Sequence, residues 1–249
     1  MPRTPFLAGN WKMFKTGPQA VDFIREIVPL VAGRAGREVA LAVPATALFQ
    51  AAEAARGSGI AIGAQNLHWE REGAFTGEIS AAMAAAAGAS LAIVGHSERR
   101  QLFGDTDEWV SRKLAAALGA DLLAVVCVGE TLAQREAGRT LEVLSAQLRG
   151  SLAGLSAPAA GKRLVMAYEP VWAIGTGKTA TKEEAQETQA FIRRELSAMG
   201  LPAESIRILY GGSVKPDNAA ALMAQPDIDG LLVGGASLKA DSFAAIVNF

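Results

Sequence analysis

Apolar residues along this chain gather in eight short runs, at 6–11, 39–43, 60–64, 91–94, 122–128, 164–168, 206–210 and 231–233. Each run lacks strict apolar–polar alternation and ends in Gly, Pro or a polar residue. Continuous apolar runs suit strands covered on both faces, as in a parallel sheet. Between them lie Ala-, Glu-, Arg- and Leu-rich stretches with helical spacing. Asp22, Arg25 and Glu26 interleave with Phe23, Ile24 and Ile27, and 184–199 carries one apolar and one charged face. Thr131-Leu-Ala-Gln134 and Thr181-Lys-Glu-Glu184 fit the capping box, and Pro216 suits a first helical turn. Strand followed by helix, about eight times at spacings of roughly 20 to 45 residues, predicts an α/β fold of the (β/α)8 barrel type. An open doubly wound sheet is the runner-up. Closure is favoured because the beats span the chain and no Gly-x-Gly-x-x-Gly follows the first run.

Length agrees with this reading, because one such barrel uses about 250 residues and the chain has 249. We therefore expect a single domain, 1–249. The net charge of −1 offers no global field for nucleic acid or an anionic membrane surface, so neither is expected as a partner. Cys127 is the one cysteine, and His68 and His96 are the two histidines. An intrachain disulfide is thereby excluded, and no Cys- or His-rich metal site is expected. The first residues lack the apolar run of a signal peptide. The longest apolar stretches, 81–87 and 122–128, fall short of the ~20 residues of a spanning helix. A soluble, cytoplasmic protein is expected.

Catalytic groups of such barrels sit where the strands end. Those ends supply Asn10 and Lys12, Gln65 and Asn66, His96, Ser97 and Glu98, Glu130, Glu169, then Gly211, Gly212 and Ser213, and finally Gly234 and Gly235. A carboxylate, an imidazole and an ammonium on one face are the parts of a base, an acid and an electrostatic clamp. The turns Tyr210-Gly-Gly-Ser-Val-Lys215 and Leu232-Val-Gly-Gly-Ala-Ser237 follow the last two strands, where barrels commonly bind phosphate. No Gly-x-x-x-x-Gly-Lys-Ser/Thr is present, which argues against nucleoside triphosphates. Directly after Glu169 come Pro170, Val171, Trp172, Ala173, Ile174, Gly175, Thr176, Gly177, Lys178, Thr179 and Ala180. Small residues at the tip between stiffer ends are the layout of a lid on two hinges.

Six segments carry a resemblance. Gly9-Asn-Trp-Lys-Met13, Gly73-Ala-Phe-Thr-Gly-Glu78, Gly95-His-Ser-Glu-Arg-Arg100, Cys127-Val-Gly-Glu130, Tyr168 through Thr179, and Tyr210-Gly-Gly-Ser-Val214 are similar, in order and spacing, to signatures of the triosephosphate isomerases. The resemblance covers the whole chain. It implies a TIM barrel that interconverts dihydroxyacetone phosphate and D-glyceraldehyde 3-phosphate, in glycolysis and gluconeogenesis, without a cofactor. Glu169 matches the family's base, and His96 its electrophile. Lys12 and Asn10 match groups that hold the developing oxyanion, and Glu98 a residue that orients Lys12. Gly175, Ser213, Gly234 and Gly235 match the phosphate cradle. Ile174 and Leu232 match apolar side chains that close over the base. The stretch 67–77 carries Trp69 and Phe75 among charges and glycines, is too irregular for strand or helix, and as a protruding loop with aromatic residues suggests a contact site; it matches the family's segment that enters a second subunit, where Thr76 reaches the neighbour's Asn10 and His96. A homodimer is therefore implied. Phe14, Lys15 and Lys182 depart from the family's usual residues, away from the matched chemistry.

Two competing classes are weighed. A Schiff-base aldolase needs a lysine on a central strand, and runs four to six contain none. A metal-dependent epimerase needs more histidine or carboxylate ligands. A non-catalytic sensor on the same fold predicts a defective catalytic set, whereas Lys12, His96 and Glu169 are all present.

Overall fold

The computed structural model describes residues 3–33, 36–174 and 179–249. Eight parallel strands close into a barrel in sequence order. They are β1 (Phe6–Asn10), β2 (Glu38–Val43), β3 (Ile60–Ala64), β4 (Leu91–Val94), β5 (Leu123–Val128), β6 (Leu164–Tyr168), β7 (Arg207–Tyr210) and β8 (Gly230–Val233). β1 pairs with β2 on one side and β8 on the other, so the sheet has no edge. The open-sheet alternative is thereby ruled out. The predicted runs are met within one residue at each end. Trp11 lies beyond β1, although its N–H still donates to the Ala42 carbonyl and extends the ladder by one step (3.1 Å).

The unbroken apolar pattern has a geometric cause. Successive strand side chains point to opposite faces. Phe6, Ala8, Ala40, Ala42, Leu91, Ile93, Val125, Cys127, Val165, Ala167, Leu209 and Leu232 fill the barrel interior. The residues between them, such as Leu7, Leu41, Val126 and Met166, face the helices. Both faces are buried along most of each strand, so polar residues are confined to strand ends, as Asn10, Glu38 and Arg207 are.

Among the described residues the helices are α1 (Gly17–Val31), α2 (Leu48–Ala55), α3 (Ala81–Ala86), α4 (Ser97–Leu102), α5 (Asp107–Gly119), α6 (Leu132–Glu136), α7 (Thr140–Ser151), α8 (Ala157–Arg163), α9 (Lys182–Ala198), α10 (Pro216–Met223) and α11 (Ala240–Val247). The simple eightfold beat is exceeded after β4, which carries two helices, and after β5, which carries three. Short helices α4 and α6 sit directly on the strand ends and shape the site. Both predicted capping boxes form, at Thr131–Gln134 and Thr181–Glu184. α9 starts with Lys182 because Thr181 caps it without help from a proline. Among the described residues, no helix is long and apolar enough to cross a membrane.

Candidate active site

Glu169 follows β6 and is held by its neighbours on both sides. Its N–H donates to the Val128 carbonyl of β5 (2.8 Å), and the preceding Tyr168 carbonyl accepts from Gly211 N–H beyond β7 (2.7 Å). Gly129 makes room for it, since a Cβ there would lie 1.8 Å from the Glu169 carbonyl oxygen. The carboxylate is almost fully buried, at 2 % exposure. Oε2 accepts from Ser97 N–H (2.9 Å), and Oε1 lies 2.9 Å from His96 Nε2.

His96 caps the N-terminus of α4, where its Nδ1 accepts from Glu98 N–H (3.2 Å). A nitrogen that accepts carries no proton, so the donor is Nε2, and it faces Glu169. Burial pushes the Glu169 carboxyl up, but His96, Ser97 N–H and Lys12 outweigh it and hold the group below its ordinary value. Burial pushes His96 down, but the adjacent Glu169 carboxylate outweighs it and raises the imidazole. Each group thus favours the other's charged form in a buried site, while the Glu98 N–H on Nδ1 favours the neutral ring.

Lys12 adopts the left-handed region, with φ of 52°, which is uncommon for a residue with a Cβ. Both its backbone groups are tied down. Its N–H donates to Asn10 Oδ1 (3.0 Å), and its carbonyl accepts from Gln65 Nε2 (2.8 Å). Asn10 and Gln65, both read as strand-end residues, therefore maintain a strained backbone at the site. The Lys12 ammonium meets Glu98 Oε1 at 2.6 Å. Lys15 is left-handed too (φ 72°), and lays its ammonium over the Phe23 ring, 4.8 Å from the centroid.

The two glycine turns lie on the same face. A Cβ on Gly234 would come within 3.6 Å of Lys12 Cε, which puts the turn after β8 beside the ammonium chain. A Cβ on Gly212 would lie 2.3 Å from the Tyr210 hydroxyl and 2.9 Å from Pro170 Cγ, so that turn packs against the start of the segment after Glu169. Gly235 opens a 3-10 turn (Gly235–Leu238). Ser213 is half-buried, and its carbonyl accepts from Asn218 Nδ2 (3.0 Å). Leu232 lies in the barrel interior, and Ile174 is half-buried. Val171–Ala173 form a 3-10 turn, and Thr179 and Ala180 lead into α9. Gly175, Thr176, Gly177 and Lys178 lie outside the described residues.

Some strand-end residues serve other purposes. Glu130 is fully buried, and its Oε1 accepts from Trp172 Nε1 (2.8 Å) and the Tyr168 hydroxyl (3.2 Å). Asn66 accepts from the buried Lys113 ammonium (2.9 Å), which also pairs with Asp105 (2.6 Å). Sequence reasoning gave no role to Cys127. It lies inside the barrel beside Glu169, where burial and that carboxylate push its thiol well up, so it stays protonated. Among the described residues, no group of three or more His, Cys, Asp or Glu is placed to hold a metal ion.

The loop at 67–77 is irregular, as expected, but Trp69 is not offered outward. It stacks on His68 (4.3 Å between centroids) and packs on Trp109 of α5 (5.4 Å) with Arg112 over its ring. Phe75 leans on His68 yet stays 44 % exposed, and Thr76 is exposed. Beside His96 opens a cleft of about 370 Å³ whose lining includes Asn10, Lys12, Gln65, Met13 and Phe103. Met13 is 94 % and Phe103 62 % exposed.

Comparison with known proteins bears on the family and the fold. The family described as Triosephosphate isomerase matches residues 5–249. The chain is 57 % identical over 250 residues to a triosephosphate isomerase of Geobacter metallireducens, covering 99 % of each. It is 58 % identical over 248 residues to that of Moorella thermoacetica, again covering 99 % of each. The crystal structure of triosephosphate isomerase from Bartonella henselae superposes with a TM-score of 0.89 at 42 % identity, over 98 % of both chains.

Proposed function

The chain belongs to the triosephosphate isomerase family, and from that premise we propose that Glu169, His96 and Lys12 carry its proton transfers. The enzyme interconverts dihydroxyacetone phosphate and D-glyceraldehyde 3-phosphate, a step of glycolysis and gluconeogenesis. The observation that carries the assignment is the contact of a buried carboxylate with an imidazole of fixed tautomer, 2.9 Å apart.

Glu169 removes the proton from the carbon next to the substrate carbonyl, and the electron pair moves to the carbonyl oxygen to give an enediolate. To do so the carboxylate must leave Ser97 N–H and His96. Its departure takes from the imidazole the charge that raises it. Burial and Lys12 then favour the neutral ring, whose Nε2–H donates to the substrate oxygen and relays a proton between the two oxygens. Lys12, steered by Glu98, stabilises the negative oxygen, and Asn10 supports it. Protonated Glu169 returns the proton to the neighbouring carbon. Ser213, Gly234, Gly235 and Gly175 supply the phosphate cradle.

Residues 170–180 act as the lid, and Ile174 with Leu232 close over the base. Apolar cover desolvates the carboxylate and makes it a stronger base. It also keeps water from the enediolate. We read the chain as one barrel domain that works in the cytoplasm as a homodimer. The exposed Met13 and Phe103 flank the cleft beside His96, which suits insertion of a second copy's loop with Thr76 leading. A coupled assay of triose phosphate interconversion by the purified protein tests the catalytic reading. Turnover is expected. Tight binding of triose phosphate without turnover would instead make the protein a sensor.

A further inference from the structure

Arg135 stands on α6, outside the lid, yet it touches Trp172 at the lid's start and Glu184, the carboxylate that caps the helix after its far end. Its guanidinium lies 4.4 Å from the centroid of the Trp172 ring, in the turn that begins the lid. One Nη donates to Glu184 Oε1. The other lies 3.4 Å from Glu130 Oε1, the same oxygen that accepts from Trp172 Nε1. Glu184 in turn fixes the far end. Its Oε2 accepts from Thr181 N–H (2.8 Å), and its own N–H donates to Thr181 Oγ1 (3.1 Å). A continuous line of contacts therefore runs from Trp172 through Arg135 and Glu184 to Thr181. Trp172, Arg135, Thr179 and Glu184 line one open depression.

The helix that carries Arg135 is secured at its start. α6 is short, but Thr131 and Gln134 cap it reciprocally, with Thr131 N–H donating to Gln134 Oε1 (2.9 Å). The Arg135 and Glu184 side chains are 27 % and 40 % exposed. An ion pair so exposed contributes little to stability, whereas the Glu130 carboxylate that also faces Arg135 is fully buried, so the melting temperature is read beside the partitioning in the test below. A planar cation that stacks on a ring and bonds a carboxylate at once fixes relative position.

We propose that Arg135 is a positioning residue that references both hinges of the lid to one fixed point, so that the two ends close together. The inference rests on the lid assigned above. With one hinge unreferenced, the lid would close out of register and leave the enediolate open to water. An exposed enediolate phosphate has a second route: its electron pair expels the phosphate by breaking the carbon–oxygen bond. The enol left behind takes up a proton on carbon to become methylglyoxal, and inorganic phosphate is released.

The test compares purified wild-type protein with Arg135→Ala, Arg135→Lys and Glu184→Gln, the last of which keeps a cap for Thr181 N–H. For each, isomerisation, methylglyoxal formation and melting temperature are measured. In Arg135→Ala, kcat for isomerisation should fall roughly tenfold while methylglyoxal per turnover rises several-fold. Arg135→Lys, which restores charge but not the stacked plane, should recover part of the loss. Should Arg135→Ala fail to fold, Glu184→Gln should move the same ratio in the same direction by less. A folded variant with wild-type partitioning would overturn the proposal, and so would a loss of activity with no change in partitioning. Failure of the wild-type protein to turn over would instead strike the catalytic assignment.

Discussion

His96 Nε2 and Glu169 Oε1 stand 2.9 Å apart inside the barrel mouth, each raising the charge on the other. Removing the carboxylate while keeping its shape should therefore reverse the sign of the histidine's shift. In Glu169→Gln, burial and Lys12 would act on His96 against Glu98 alone. Its titration should drop from above the ordinary 6.5 to below it. Nitrogen NMR of the imidazole reads this directly, and an unchanged midpoint would refute the coupling.

The same pair gives a pH profile of stability. The His96 contribution is complete below 6.5 and is lost as pH rises through its higher folded value. The Glu169 contribution is complete above 4.5 and is lost as pH falls through its lower folded value. The pair stabilises most between those two limits. Denaturant titrations should show Glu169→Gln losing stability relative to wild type chiefly in that window. A difference that does not vary with pH would contradict the assignment.

Glu169→Asp retracts the carboxylate by about one carbon–carbon bond and keeps its charge. Proton abstraction depends steeply on position, so kcat should fall by about a hundredfold or more with KM nearly kept. Steady-state kinetics settle it, and an unchanged kcat would remove Glu169 from the role of base.

Gly129→Ala would drive a methyl against the Glu169 carbonyl, where the contact would be 1.8 Å. Backbone cannot step aside as a flexible side chain can. We expect a stability loss of about 3 kcal/mol and a fall in kcat from displacement of the base. Wild-type melting and turnover in the variant would refute the close fit of Gly129 against Glu169.

Met13→Asp places a charge on a 94 % exposed side chain at the rim of the cleft. If that rim receives a second copy, sedimentation should report a monomer, and kcat/KM should fall by orders of magnitude while the barrel stays folded by circular dichroism. A fully active monomer would sink the claim that activity needs the dimer.

The strands were legible because burial on both faces leaves a local mark, an unbroken apolar run, and Trp11 shows the limit of that mark: it is apolar and in the ladder's path, yet past the strand. Asn10, Lys12, His96 and Glu169 could be placed at strand ends from the same runs. Their contacts could not be read there. Ser97 N–H reaches Glu169 only through the junction of β4 with α4, and Glu130 reaches Trp172 only because the chain turns sharply after β6. Trp69 looked like an offered aromatic because its partner, Trp109, is forty residues away in sequence. The left-handed backbone of Lys12 has no signature in residue type, since it is imposed by Asn10 and Gln65.

Closure of β8 onto β1 also sets an order of assembly. Lys12 leaves the ribosome before Glu169, and Glu169 before Gly234, which lies beside Lys12 in the finished barrel. A nascent chain lacking its last strand would own the base, the imidazole and Ser213, but neither Gly234 and Gly235 nor the wall that β8 lends to β1. The two halves of the phosphate cradle therefore meet only when the ring shuts.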